Sequence, residues 1–136
     1  SPDERGIDSA LLYRKEYFTV LHKEAIPLYI NNEFGEQDFT RDILHIKGLL
    51  KDEPVHVLVN HWPSRRAGVE VTNYRRLAAA DKNKEIISKI ITENTEAKII
   101  LMGDFNDDPQ SESVKSLVGT NLYNPMELLL TNYGGV

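Results

Sequence analysis

The feature that most constrains this chain is a short apolar stretch, residues 99–102, that is followed at once by the segment Gly103–Pro109. A short apolar run ended by glycine predicts a β-strand that is buried on both faces. Open α/β sheets place their chemistry where the chain leaves such a strand. Asp104 supplies a negatively charged oxygen ligand for a hard cation, and Asn106 supplies both a hydrogen-bond donor and an acceptor. The pattern therefore predicts a site for an anionic oxygen beside a cation.

A second apolar stretch, residues 55–59, leads into a polar segment in the same way. That segment, Asn60–Arg66, supplies an amide, an imidazole, a hydroxyl and two guanidinium groups. A site for a phosphate ester needs donors for the non-bridging oxygens, a proton shuttle and fixed positive charge. An imidazole suits proton transfer because its ordinary pKa, about 6.5, lies near neutral pH. The two segments together predict a phosphate-ester site.

Four segments of the chain carry a family resemblance: Arg5–Asp8, Thr40–Leu44, Asn60–Arg65 and Gly103–Asn106. In this order they resemble the endonuclease/exonuclease/phosphatase superfamily, the metal-dependent phosphoesterases related to pancreatic-type deoxyribonucleases. The resemblance extends roughly from Arg5 to the C-terminus. It implies an α/β (α+β) fold that is part of a four-layer α/β/β/α sandwich, in which two mainly antiparallel sheets pack together with helices outside.

The resemblance also implies roles for the catalytic candidates. Asp104 would lie beside the attacking water or the metal, and Asn106 would contact the scissile phosphate. His61 would donate to the phosphate or protonate the leaving group, and Asp8 would accept a hydrogen bond from His61. The residues alone also allow plainer interpretations: Asp104 could cap a turn, His61 could bond to backbone, and Asp8 could lie in a turn at a strand end.

The candidates for binding the substrate phosphate are Arg41, Asn60, Ser64 and Arg65. Related nucleases carry a phosphate-contacting arginine in a pattern like the one around Arg41, although an arginine on a solvated hairpin face also fits the sequence. Asn60, Ser64 and Arg65 share a loop with His61, and Arg65 is the leading candidate there because its charge is fixed.

The family's active site has parts that this sequence lacks: an N-terminal Asn, a metal-binding Glu and a C-terminal Asp-His pair. We therefore expect residues 1–136 to be a single truncated domain, an internal fragment whose outer strands are missing. The expected cofactor is Mg²⁺, with Mn²⁺ as an alternative, held by Asp104 together with a Glu and an Asp outside the chain. The fragment alone is expected to be catalytically weak or inactive, and to self-associate through exposed sheet edges.

The formal net charge of −5 disfavours a dedicated nucleic-acid surface, since such surfaces are usually basic. The expected partner is a phosphate-ester substrate, either a small molecule or a nucleic acid, and the charge favours the small molecule. No apolar segment approaches the ~20 residues that a membrane span needs. The chain has no cysteine, and cytoplasmic, periplasmic and secreted locations all stay open.

Two other functions are consistent with the sequence. One is a non-catalytic module that keeps the fold and the phosphate-binding loops without turnover. The other is an unrelated α/β domain in which the motifs are coincidental, but two motifs in the family's order disfavour it. A Glu upstream and an Asp-His pair downstream in the full-length protein would favour the enzyme over the module.

Residue patterns also predict the main helices and strands. Strands are predicted at residues 7–13, 17–21, 41–48 and 55–60, the last two joined as a hairpin by a turn at residues 51–54. A helix is predicted over about residues 71–94, with Arg75 and Arg76 on its solvated face. A second helix is predicted from Pro109, capped by Asp108, to Val118, and a further helical turn at residues 125–130.

Overall fold

The computed structural model describes residues 3, 6–32, 34–119 and 122–129. The elements in chain order are β1 (Phe18–Ile26), β2 (Tyr29–Asn31), β3 (Gln37–Phe39), β4 (Ile43–Leu50), β5 (Glu53–His61), α1 (Asn73–Glu93), β6 (Lys98–Asp104), α2 (Glu112–Val118) and a 3₁₀ helix (Pro125–Leu129). The predicted mixed α/β class is confirmed. No described helix is long and apolar enough to cross a membrane.

Two sheets are described, a four-stranded one in the order β1-β4-β5-β6 and a two-stranded one formed by β2 and β3. The pairs β1–β4 and β4–β5 are antiparallel, whereas β5 and β6 are parallel. Parallel neighbours need a crossover connection, and α1 provides it. This β5-α1-β6 unit positions both predicted site segments, because each of them follows one of its strands.

The predicted hairpin between β4 and β5 is confirmed, but its turn is shorter than the predicted residues 51–54, because Glu53 and Pro54 already pair with β4. Its turn consists of Lys51 and Asp52, which both have positive φ angles of 47° and 72°. Two such residues match the right-handed twist of the flanking strands, so a two-residue turn can close the hairpin tightly. The predicted main helix is also confirmed, since α1 lies within two residues of the predicted bounds at each end.

One face of the four-stranded sheet packs against both helices. The face of α1 that points inward repeats every three to four residues and includes Ala79, Ala80, Ile87 and Ile90. These residues share a core with Leu58 of β5, which is fully buried. The buried side chains of α2 join the same core. The helix layer therefore holds β5 and β6 in place from one side.

The opposite face of the sheet has a smaller core formed by Phe18, Ile46, Val55, Val57 and Val59. The predicted strand at residues 7–13 is wrong, because that segment is irregular. It contributes Leu11 to this core while Leu12 is 96% exposed. Among the described residues β1 pairs with β4 alone and lies at the edge of the sheet, so this segment adds no strand beside it.

The prediction that residues 99–102 are buried on both faces is wrong. Ile99 and Leu101 pack against the helix-side core, but Ile100 and Met102 are 43% and 44% exposed. The physical reason is position, because β6 is the outermost strand of the sheet among the described residues and its second face is not covered there. Self-association through such edges stays a prediction.

The predicted start of the second helix is also wrong. The helix begins at Glu112 with Ser111 as its cap residue, not at Pro109. Asp108 does not cap it, because its Oδ1 accepts a hydrogen bond from the Gln110 backbone N–H at 2.9 Å. This local turn delays the helix by three residues. The predicted stop is confirmed at Gly119, which has a φ of 48°.

A chain of three titratable side chains crosses the antiparallel strands. Glu24 Oε1 lies 3.0 Å from His45 Nδ1, and His45 Nε2 lies 2.9 Å from His56 Nδ1. The two imidazole rings stack with their centroids 5.2 Å apart. Burial lowers the pKa of His56, and the neighbouring charges of His45 and Lys47 lower it further. The folded state therefore favours the neutral form of His56.

We expect the folded chain to lose stability as the pH falls below about 6.5, the ordinary pKa of histidine. The unfolded state binds a proton at His56 more readily than the folded state does, so the free energy of unfolding decreases as the pH falls from about 6.5 toward the lowered pKa of His56 in the folded chain. Urea unfolding of the chain at pH 7 and pH 5 measures the loss. His56→Gln should reduce the pH dependence, and the control His22→Gln, on an exposed residue, should not. Equal pH dependence in all three proteins would contradict the assignment.

Candidate phosphate-ester site

The two predicted site segments leave the sheet side by side. His61 and Asp104 are partners in the parallel ladder of β5 and β6, although they are far apart in sequence. The Trp62 backbone N–H continues the ladder by donating to the Asp104 carbonyl at 2.9 Å. Adjacent strands lie about 4.8 Å apart. Because β5 and β6 are parallel and in this register, both strands end at the same edge of the sheet.

Gly103 allows this close approach. Its φ is +129°, a conformation that residues with a side chain rarely adopt. A Cβ atom at this position would lie 1.9 Å from the Asn60 carbonyl oxygen. The glycine before Asp104 is therefore required by the backbone itself and not only by a motif.

Asp104 and Asn106 form a tight turn directly after β6. One carboxylate oxygen of Asp104, Oδ1, accepts a hydrogen bond from the Asn106 backbone N–H at 2.9 Å. Asn106 has a left-handed φ of +50°, which asparagine tolerates better than most residues. Asp104 itself is exposed to solvent. Asp104 thus does cap a turn, as the plainer interpretation predicts. The same residue is also exposed at the edge of the sheet.

The Trp62 carbonyl connects the two segments. It accepts a hydrogen bond from Asn106 Nδ2 at 2.9 Å and another from an Arg41 guanidinium nitrogen at 2.6 Å. Arg41 is buried and also pairs with the carboxylate of Asp3 at 3.2 Å. Arg41 therefore positions the loop backbone from the interior. Its predicted contact with a phosphate stays a prediction.

The side chain of Asn60, like that of Arg41, forms its hydrogen bonds in the interior. Its Oδ1 accepts hydrogen bonds from Trp62 Nε1 at 3.0 Å and from Asn83 Nδ2 at 2.7 Å. All three side chains are almost completely buried. The Trp62 ring also meets the Phe105 ring edge-on, with centroids 4.9 Å apart. Asn60 thus fixes Trp62, and Trp62 locks the His61 segment against the Asp104 segment.

The remaining candidates lie nearer to solvent. Ser64 is exposed, His61 is half-buried, and the side chain of Arg65 is 31% exposed. Asp8 is exposed and precedes Ser9, whose hydroxyl donates to the Asp42 carbonyl at 3.3 Å. The segment of Asp8 therefore lies beside the residue that follows Arg41. The predicted contact between Asp8 and His61 stays a prediction.

Sequence reasoning missed two residues of this region. The prediction that Arg76 lies on the solvated face of α1 is wrong, because its side chain is completely buried and bonded to Asp107. Asn83, in the middle of the same helix, is buried too. Both fall on the inward repeat of α1, at positions where a purely apolar helix face would carry aliphatic residues. Their position among apolar residues on this repeat was the sequence signal that could have indicated their burial.

The described residues do not form a complete metal site. No group of three or more His, Cys, Asp or Glu side chains among them is arranged to hold a metal ion. Asp104 supplies one carboxylate, and Mg²⁺ in proteins is often held by only one or two carboxylates with waters and substrate phosphate. Asp104 could therefore be one ligand of such a site, but the described residues do not provide the others.

Comparison with known proteins identifies the fold. The human Nocturnin catalytic domain, solved with a bound sulfate anion, matches with a TM-score of 0.64 and 20% identity over 85% of this chain and 41% of that one. Sphingomyelinase C from Streptomyces griseocarneus matches with a TM-score of 0.57 and 16% identity over 74% of this chain and 35% of that one. An endonuclease/exonuclease/phosphatase family protein from Bacteroides thetaiotaomicron gives a TM-score of 0.53 and 20% identity over 78% and 37%.

This chain spans less than half the length of each of these structures. A search of curated protein sequences finds no match. The model of the Endonuclease/Exonuclease/phosphatase family, by contrast, matches residues 1–132, which is nearly the whole chain. The chain therefore belongs to the endonuclease/exonuclease/phosphatase family.

Proposed function

We propose that the full-length protein containing this chain hydrolyses a phosphate ester with the help of a divalent metal ion. The family consists of phosphoesterases and related hydrolases that generally use divalent metals. The observation that carries the proposal is the register of His61 with Asp104, together with the Trp62 carbonyl that joins both segments. The residues that carry an imidazole, a carboxylate and a carboxamide thereby lie at one edge of the sheet.

The proposed reaction is in-line attack of water on phosphorus. A new P–O bond forms as the bond to the leaving oxygen breaks, and a proton passes from water to that oxygen. His61 would donate to the phosphate or deliver this proton, with Asp8 orienting its ring. Arg65 and Asn106 would donate to the oxygens on which negative charge develops. Asp104 would orient the attacking water or ligate the metal.

Mg²⁺ is the metal we propose, with Mn²⁺ as the alternative. Asp104 is the ligand that this chain would contribute, and we propose that the other ligands come from outside it. The isolated chain is therefore expected to hydrolyse phosphate esters far more slowly than the full-length protein. Equal rates for the two in a chromogenic phosphodiester assay would contradict this part of the proposal.

The proposed substrate is a small phosphate ester or a nucleic acid, and the net charge of −5 favours the small ester. A sulfate bound to the Nocturnin catalytic domain adds support, since sulfate has the tetrahedral shape and negative charge of phosphate. The choice between monoester and diester is left to experiment.

The full-length protein, assayed on a panel of phosphate monoesters and diesters with and without EDTA, tests the proposal. We expect hydrolysis of at least one class, its loss in EDTA and its return when Mg²⁺ is added. Binding of phosphate esters without turnover would contradict the enzyme and favour the non-catalytic module. Neither binding nor hydrolysis would contradict both.

A further inference from the structure

Among the described residues, Arg76 is the most deeply buried charged side chain that the proposed reaction does not use. Its guanidinium makes three hydrogen bonds: from Nε to Asp107 Oδ2 at 2.7 Å, to Thr72 Oγ1 at 2.7 Å, and to the Val69 carbonyl at 2.8 Å. The side chain is 0% exposed. A buried charge is costly unless it is paired and fully hydrogen-bonded. The planar guanidinium fork of Arg76 meets that demand in one fixed orientation.

Its partner, Asp107, directly follows Asn106 in the turn after β6, and its side chain is 2% exposed. Asp107 Oδ2 accepts a second hydrogen bond, from the Ser113 hydroxyl of α2 at 2.6 Å. The carboxylate therefore ties the start of α1, the start of α2 and the Asn106 turn together. This part of its role is structural.

The other carboxylate oxygen of Asp107 lies on the side of Arg65. Asp107 Oδ1 lies 3.8 Å from Nε of Arg65, the predicted phosphate-binding residue in the loop after β5. Two guanidinium groups thus flank one carboxylate, which leaves one net positive charge in the cluster. Arg65 keeps 31% of its side chain exposed, so its guanidinium is held from the interior while it still reaches solvent. Such an arrangement suits a phosphate oxygen.

We propose that Asp107 is a positioning residue that holds Arg65 for a phosphate, and that buried Arg76 fixes Asp107 in that orientation. The inference rests on the proposed function for its substrate class. Neither residue would touch the substrate. Their role is to reduce the freedom of the Arg65 side chain before the ligand binds, since ordering a long side chain on binding weakens affinity.

The proposal and a simple charge argument predict opposite changes in phosphate affinity for the variant Asp107→Asn. Asp107→Asn removes a negative charge near an anion site, which by Coulomb attraction alone would strengthen phosphate binding. If Asp107 positions Arg65, the same change weakens phosphate binding, because Arg65 loses its charged partner. A purely structural role would lower stability and leave the affinity unchanged.

The test is the dissociation constant of inorganic phosphate, measured by calorimetry on the full-length protein containing this chain. We expect Asp107→Asn to weaken phosphate binding about fivefold, the scale of one partly exposed ion pair. The control Ser113→Ala removes a hydrogen bond to the same carboxylate without touching Arg65, and should leave the constant within about twofold. Asp107→Asn made in an Arg65→Met protein should have no further effect, because the residue it positions is gone.

Unchanged or tighter phosphate binding in Asp107→Asn would overturn the proposal, as would equal weakening in the Arg65→Met protein. If Asp107→Asn does not fold, Arg76→Lys replaces it, since lysine keeps the charge but cannot reproduce the fork, and the same weakening is expected. A wild-type protein that binds phosphate but hydrolyses no ester would contradict the proposed function, and the phosphate affinities of the variants would still decide this inference. A wild-type protein that binds no phosphate would overturn the inference.

Discussion

Replacing Asp104 with alanine in the full-length protein is expected to lower kcat/KM for a phosphate ester by about 10²–10⁴-fold, the contribution typical of a positioned acid–base or charged group. The carboxylate is exposed at the sheet edge, next in register to His61, so its loss removes a group that would face the substrate. Steady-state kinetics on the hydrolysed ester measures the effect.

A matched control lies four residues further along. Asp108→Ala removes a carboxylate from the same loop, one that bonds the Gln110 backbone N–H and is not part of the proposed site. Asp108→Ala should keep kcat/KM within a few-fold of the wild type. A similar fall in both variants would mean that the loop responds to any change, and the catalytic assignment of Asp104 would be wrong.

Replacing Trp62 with alanine is expected to cost the chain about 3–5 kcal/mol of folding stability, the range for removing a large buried aromatic side chain. Trp62 is 1% exposed, packs against Phe105 and donates to Asn60. Its loss would leave a cavity between the site segments and remove one of the two hydrogen bonds that Asn60 Oδ1 accepts. Native domains are stable by only about 5–15 kcal/mol, so the variant should lose a large fraction of its folding stability.

Urea unfolding followed by circular dichroism measures the change. Val71→Ala is the control, because Val71 is an apolar residue that is 68% exposed just before α1, and its loss should cost about 0.5 kcal/mol or less. A Trp62→Ala protein as stable as the control would contradict the packing described for the two segments.

The parts of the fold that follow from local patterns were predictable. The hairpin of β4 and β5, the helix α1 and the end of α2 at Gly119 each depend on signals within a few residues, namely a turn, a repeat and a glycine. The meeting of the two site segments was predictable as well, because functional residues of open α/β sheets collect at the strand ends.

The parts that depend on long-range partners were not predictable. The exposed face of β6 depends on which strand lies at the sheet edge, and a strand's own residues do not specify that. The burial of Arg76 depends on Asp107, which is 31 positions away in the chain. Arg41 likewise has its partners in Asp3 and Trp62. An arginine whose acceptors lie far along the chain cannot be told from a solvated one by its immediate neighbours.

The central claim is that the segments after β5 and β6 form one catalytic unit. A double-mutant cycle on kcat/KM in the full-length protein, with His61→Ala, Asp104→Ala and the two combined, tests it most directly. Residues that act as a unit are strongly non-additive, so we predict that the double variant is about as slow as the slower single variant. A double variant whose loss equals the product of the two single losses would contradict the claim, because it would show two side chains acting independently.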